Sequence, residues 1–237
     1  GTNSRMLRTI SPLNARVQTE TEFCESGVPP LSFENPNYLG NPNGGGSGAS
    51  LNPGASYRFS DVVTLPGGID VDAVVTIVDE VRSRILAFDD TGSGYPTALQ
   101  PRLAGDGTTN APQSGWATFR YEFFLAGTNT PVTIPNFTAY LIDIDGDANF
   151  FEFQAVSAGD GSLGNISFGD GAEDNLDELS EPSPFGTRYQ DNTGSSAAVG
   201  NNAIPTDLFE RIVKVDFVNV QTFTWRFGLR YRRNNPN

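Results

Sequence analysis

The residues in this chain best suited to chemistry are four carboxylates, Asp143, Asp145, Asp147 and Glu152, carried by the stretch IPNFTAYLIDIDGDANFFEF. Acids this close repel one another unless a cation sits among them, and hard oxygen ligands of this kind suit Ca²⁺ better than a transition metal. The competing reading is a turn whose acids are solvated by water, since Asp-Gly is itself a common turn pair. The pattern is not that of an EF-hand. Gly146 is the fourth residue counted from Asp143 rather than the sixth, and Gln154 stands where a bidentate Glu is required.

Other chemistries are limited by what the chain lacks. There is no histidine, so Ser-His-Asp and Cys-His nucleophilic systems and His-ligated zinc are excluded. Cys24 is the single cysteine, too few for a thiolate zinc site, an iron–sulfur cluster or an internal disulfide. No phosphate-binding Gly-Lys-Ser/Thr loop and no dinucleotide fingerprint occur. A two-carboxylate glycosidase needs only a suitable pair of acids. In a chain with 28 acids such a pair is no evidence, so the expectation is a protein without enzymatic activity.

The acids have to be positioned by strands. From Phe137 to Asp145 the residues alternate, with Phe137, Ala139 and Leu141 sharing a face with Asp143 and Asp145. Gly146 and Asp147 supply a tight turn, and Phe150, Phe151 and Phe153 resume β character with Glu152 facing away from its phenylalanine neighbours. Further strands are expected at Tyr57–Leu65, Ile69–Val81, Arg84–Phe88, Trp116–Leu125, Ile212–Val218 and Thr222–Tyr231. Ile69–Val81 is apolar on both faces in its middle, the mark of a central strand. Thr222–Tyr231 has the cleanest alternation in the chain. Helix signals are nearly absent, the best being a single turn at 205–211. Gly 26, Pro 16 and Phe 17 fit many short strands joined by tight turns. The expected fold is all-β, an antiparallel β-sandwich or jelly roll with long Gly/Pro/Asn loops.

Three regions follow. Residues 1–27 read as an N-terminal strand arm, 28–53 as a flexible Gly/Pro/Asn loop or linker, and 54–237 as the sandwich domain. The acidic run from Glu173 to Glu181 reads as a solvated loop. A strand on a leash can pair with its own sheet or with a neighbour's.

The formal charge of −13 disfavours nucleic acid and anionic membrane surfaces as partners. Nothing in the sequence resembles a signal peptide or a membrane span, and the Gly at position 1 fits a mature or trimmed product. Residues 1–24 carry three Arg against two Glu, and 225–237 carry four Arg and no acid, so basic ends flank an acidic body. Fourteen of the 15 cations are arginines, Lys214 being the exception. The residues expected to take part in assembly are Arg5, Arg8, Arg16, Val17 and Phe23 in the arm, with Arg226, Arg230, Arg232 and Arg233 in the tail.

The blocks GIDVDAVVTIVDEV, FRYEFFLAGTNTPVTIPNFTAYLIDIDGD with its FFEF continuation, and FVNVQTFTWRFG keep an order and spacing that resemble a β-rich domain recurrent in large exported and cell-surface proteins of bacteria. The match covers roughly Tyr57 to Gly228. The resemblance implies a part of an adhesin or surface layer, outside the cell and with no agreed enzymatic activity. It adds Asp70 and Asp72 to Asp143, Asp145, Asp147 and Glu152 as candidate ligands of Ca²⁺.

Together these readings point to a non-enzymatic extracellular structural or adhesive subunit that self-associates, into a filament by exchange of its N-terminal strand, and is stabilised by Ca²⁺. The alternative is a Ca²⁺-assisted carbohydrate- or peptide-binding module with Trp116, Tyr95 or Tyr140 as stacking platforms. The expected partners are other copies of the chain, together with a surface glycan or protein; neither nucleic acid nor membrane insertion is expected.

Overall fold

Strands follow one another along the chain. They are β1 (Arg8–Ile10), β2 (Asn37–Gly40), β3 (Ser56–Leu65), β4 (Ile69–Val81), β5 (Ser83–Ala87), β6 (Arg102–Gly105) and β7 (Ser114–Leu125). These are followed by β8 (Ile134–Ile142), β9 (Phe150–Ala158), β10 (Ser162–Phe168), β11 (Leu176–Glu181), β12 (Gly186–Asp191), β13 (Val213–Val220) and β14 (Thr222–Tyr231). The computed structural model describes residues 8–10, 28–29, 31–44, 49–90, 97–106, 112–142, 144–146, 149–168, 175–194 and 212–232. Among these none is helical, and no helix is long and apolar enough to cross a membrane. The single helical turn expected at 205–211 lies outside the described residues, as does Cys24.

Two antiparallel sheets pack face to face. One has the order β1-β8-β13-β10 and the other β11-β12-β9-β14-β7-β4-β3-β2; β5 and β6 form a separate ribbon. The alternation of β14 turns Phe223, Trp225 and Phe227 inward, and Phe223 meets Phe137 and Phe217 of the smaller sheet. Tyr121 stacks on Phe223 at 4.3 Å, and Phe137 on Phe217 at 4.7 Å. These ring pairs bind each sheet to itself, and edge-on contacts such as Phe123 to Phe137 join the two layers. One polar group enters this core with its partner. Trp225 Nε1 donates to Gln154 Oε1 at 3.0 Å. The all-β sandwich expected from the alternation is the observed architecture, with β4 central between β3 and β7.

Two expectations are corrected. The described residues of 28–44 are not a loose leash, because Val28, Leu31 and Phe33 are buried in the core and β2 pairs with β3. Phe33 meets Phe59 and Tyr121 edge-on, and its N–H donates to the Thr97 carbonyl. Asn41 Nδ2 gathers Ser50, Asn52 and Pro53 around one amide, closing the Asn/Pro-rich loop on itself. A few apolar residues among many turn formers are enough to dock the segment. Secondly, the run ending at Glu181 contains a strand, β11, which pairs with β12 through six residues. Asp177 and Glu178 are exposed on this edge strand, while Glu181 is buried. β8 belongs to the smaller sheet and β9 to the larger, so the link between them crosses from one layer to the other.

Candidate functional site

Two acids at the passage from β8 to β9 are buried. Asp145 is 2 % exposed and Glu152 is fully buried, and the Glu152 N–H donates to the Asp145 carbonyl at 2.7 Å. Gly146 bridges to Phe151. The structure adds a third buried carboxylate, Asp191, at the end of β12. Tyr189 faces Gln154 and Gln190 faces Phe153, so the same register carried one step on sets Asp191 across from Glu152. Asp191 Oδ1 accepts from Thr193 N and Oγ1, and Oδ2 accepts from Gly194 N at 2.6 Å. A Cβ on Gly146 would stand 2.7 Å from that Oδ2, so the closeness of the crossover to β12 requires glycine at this position. Only tertiary pairing brings Asp191 here, since it lies some forty residues beyond Glu152 in a segment with no metal-ligand spacing. Asp143 and Asp147 lie outside the described residues. Among the described residues no group of three or more Asp, Glu, Cys or His could hold a metal ion. Asp145 and Glu152 are the members of the expected calcium set that the fold brings together.

Asp70 and Asp72 are elsewhere. Glu152 pairs with Leu229, Leu229 with Gly115, and the neighbouring Trp116 with Val81, which sets Glu152 level with the far end of β4. Asp72 lies about ten residues back along that strand, roughly 30 Å at the rise of a β-strand. One ion cannot serve both groups. Asp72 has its own partners instead. A bulge in β3 puts Asp61 at φ 52° and aims its N–H at Asp72 Oδ1, 2.9 Å away. Gly127 N and Arg58 Nε donate to Oδ2 at 2.9 and 2.8 Å. Burial pushes this carboxyl up, but the two N–H groups and the guanidinium outweigh it and hold it below the usual carboxylate range. Arg58 also reaches Asn129 and the Thr128 carbonyl, so Asp72 ties β3, β4 and the turn after β7 into one end of the sandwich. Asp70 is exposed and accepts from Thr64 Oγ1.

Of the arginines expected to meet a neighbouring copy, Arg226 is used internally. Its guanidinium lies 4.8 Å from the Trp116 ring centroid and 4.3 Å from that of Phe185. It donates to Glu181 at 2.8 Å and to Thr118 at 3.1 Å. Glu181 also accepts from Arg188 at 3.4 Å. Phe185, at the tip between β11 and β12, therefore folds back over the outer face of β14 and is pinned there by Arg226. The same stack covers one face of the half-buried Trp116, and Tyr140 is buried, so Tyr140 is not the open platform that the binding-module reading requires. Arg230 and Arg232 follow on the outward side of β14. Arg5, Arg16, Val17, Phe23, Arg233 and Tyr95 lie outside the described residues.

A second feature concerns the smaller sheet. β1 pairs with β8 over three positions, Arg8 with Ile142, Thr9 with Leu141 and Ile10 with Tyr140. β13 covers the other side of β8 from Ile134 to Leu141. Among the described residues no strand pairs with the β1 side of β8 between Ile134 and Ala139. A polar cavity of about 420 Å³ lies between the 32–35 segment and the β3 bulge, lined by Ser32, Glu34, Asn35, Ser60 and Asp61.

No family model and no curated protein matches the chain. Among solved structures, the N-terminal domain of an adhesin of Streptococcus gordonii is similar, with 15 % sequence identity and a TM-score of 0.41 over 100 % of this chain and 64 % of that one. The chain thus spans less than two thirds of that structure, and the sandwich assignment rests on the strand pairing itself.

Proposed function

We propose that this chain is a structural or adhesive β-sandwich subunit of the bacterial cell exterior, without enzymatic activity, that self-associates by exchange of its N-terminal strand. The observation that carries the reading is the edge of β8, a nine-residue strand of which β1 covers three positions among the described residues. Exposed backbone donors and acceptors on such an edge template the pairing of another chain. Since residues 28–44 dock on their own domain, the reach available to Arg8–Ile10 comes from the 17 residues between Ile10 and Val28. Fully extended they span roughly 55–60 Å, ample to reach a neighbour. A head-to-tail contact of this kind does not close on itself unless the rotation forms a ring, and so builds filaments. The resemblance of the sequence blocks to exported bacterial domains supports the location. Calcium belongs to the same proposal: Asp145 and Glu152, joined by Asp143 and Asp147, would hold an ion that staples the crossover between the layers.

A cysteine pair across the edge tests the exchange. In a Cys24→Ser background, Arg8→Cys with Ile142→Cys is oxidised at high protein concentration and run without reductant. A ladder of covalent oligomers, with fibres seen by electron microscopy, is the expected result. Covalently closed monomers alone, together with wild-type protein that stays monomeric, would sink the proposal.

A further inference from the structure

Arginines gather on one part of an otherwise acidic molecule. The outward side of β12, β9 and β14 carries Arg188, Arg230 and Arg232, with Phe151 and Phe153 between them. Gly228 has no side chain, and a Cβ there would fall within the Phe153 ring, so that ring lies flat on the sheet. Arg188 lies over it at 4.7 Å, and Arg232 lies over Phe151 at 4.6 Å. A guanidinium resting on a ring is pre-oriented and loses little freedom on meeting an anion.

The charge of this strip is incompletely balanced. Glu181 serves two guanidinium groups, those of Arg188 and Arg226. Arg188 Nε is buried without an acceptor, and Gln190 Oε1 is buried without a donor. Arg230 makes no ion pair among the described residues. Burial pulls the Arg188 pKa down; Glu181 opposes the shift, and Arg230 is near enough to reinforce it. An arriving carboxylate would relieve the repulsion between the guanidinium groups of the strip.

We propose that the strip of Arg188, Arg230 and Arg232 is a docking surface for acidic side chains of a second copy of this chain. The occupant is chosen by charge complementarity: the chain is at −13, and between its basic ends 26 acids face eight cations. The inference rests on the self-association reading and adds to it a second, electrostatic contact beside the strand pairing.

Sedimentation velocity of the full chain tests it, comparing wild type with Arg230→Glu/Arg232→Glu. Arg230 lies outside the Glu181 network, and the melting temperature of each variant is measured beside its association, so that a loss of folding is told apart from a loss of docking. Self-association should weaken about tenfold or more, and the loss of wild-type association on raising NaCl to about 0.5 M should largely disappear in the variant. Should the double reversal misfold, two further measurements separate the same outcomes: Arg230→Gln should weaken association, and polyglutamate added to the wild type should dissolve the assembly. Unchanged association in the variants overturns the docking surface. If Thr9→Pro abolishes assembly while charge reversal leaves it intact, the strand exchange stands and this inference falls. Binding of an anionic glycan such as heparin by a chain that remains monomeric overturns both and makes the strip a site for a foreign polyanion.

Discussion

Asp72 and Asp89 show how differently two carboxylates of one chain can be treated. Asp72 is held by two backbone N–H groups and Arg58, and its pKa is depressed although burial alone would raise it. A depressed carboxylate stabilises the fold above its unfolded pKa, and the contribution is lost as pH falls through the folded value. Asp72→Ala leaves Arg58 without its buried partner and should cost about 3–5 kcal/mol; chemical denaturation at neutral pH measures it. Asp89 is the reverse case. Oδ1 accepts from Gln100 N at 3.0 Å, while Oδ2 is buried with no donor. Burial is the main cause of a pKa of about 6, the Gln100 N–H opposes it, and Asp90 adds repulsion. The protonated form is favoured by folding, so its stabilisation is complete below the ordinary value of 3.8 and is lost as pH rises through about 6. Asp89→Asn keeps the acceptor for Gln100 and removes the charge. It should raise stability on the order of 1–2 kcal/mol at about pH 7.5, reduced by partial solvent access, and change little at about pH 4. Melting curves at the two pH values decide it.

At the scale of elements, the β11–β12 hairpin shows how a charged segment becomes ordered. Its backbone joins the sheet through two paired positions on β9, so much of its hold comes from side chains at the tip, chiefly Phe185 and Glu181 on Arg226. Arg226→Lys keeps the charge but loses the flat stack between Trp116 and Phe185. It should destabilise the protein by about 2 kcal/mol, with hydrogen exchange accelerating first in 176–191. A hairpin exchanging at its old rate in that variant would mean that backbone pairing alone holds it. Gly228→Ala tests the neighbouring layer. The added methyl must displace the Phe153 ring and with it the seat of Arg188, at a cost of about 1–3 kcal/mol, read from the shift in denaturation midpoint. An unshifted midpoint would mean that the ring has somewhere else to lie.

For the molecule as a whole, the link from β8 to β9 is the point at which the two layers are joined by buried acids. An ion bound there by the folded state alone would add RT ln(1 + [L]/Kd), about 2.7 kcal/mol at a hundredfold excess over Kd. Chelation is therefore expected to lower the melting temperature, and Asp145→Asn to abolish that dependence. Identical melting of the wild type in calcium and in chelator would assign the crossover to a solvated or internally compensated turn.

Much of the architecture was legible in one dimension because a strand with one buried face writes its period of two into the chain. Phe223, Trp225 and Phe227 announce β14 in this way, and the apolar middle of Ile69–Val81 announces a central strand. The acidic stretch after β8 was equally visible. Which sheet each strand joins was not, because pairing partners are chosen by packing across the core. Strands joined by a few residues can belong to the same layer or to opposite ones. Register within the larger sheet separates Asp72 from Glu152 by most of a sheet's length and sets Asp191 opposite Glu152. Docking of 28–44 and the burial of Arg226 have the same origin. A Pro-rich segment and an arginine look solvent-bound by composition, and only a nearby groove or a pair of rings with a carboxylate makes their burial favourable.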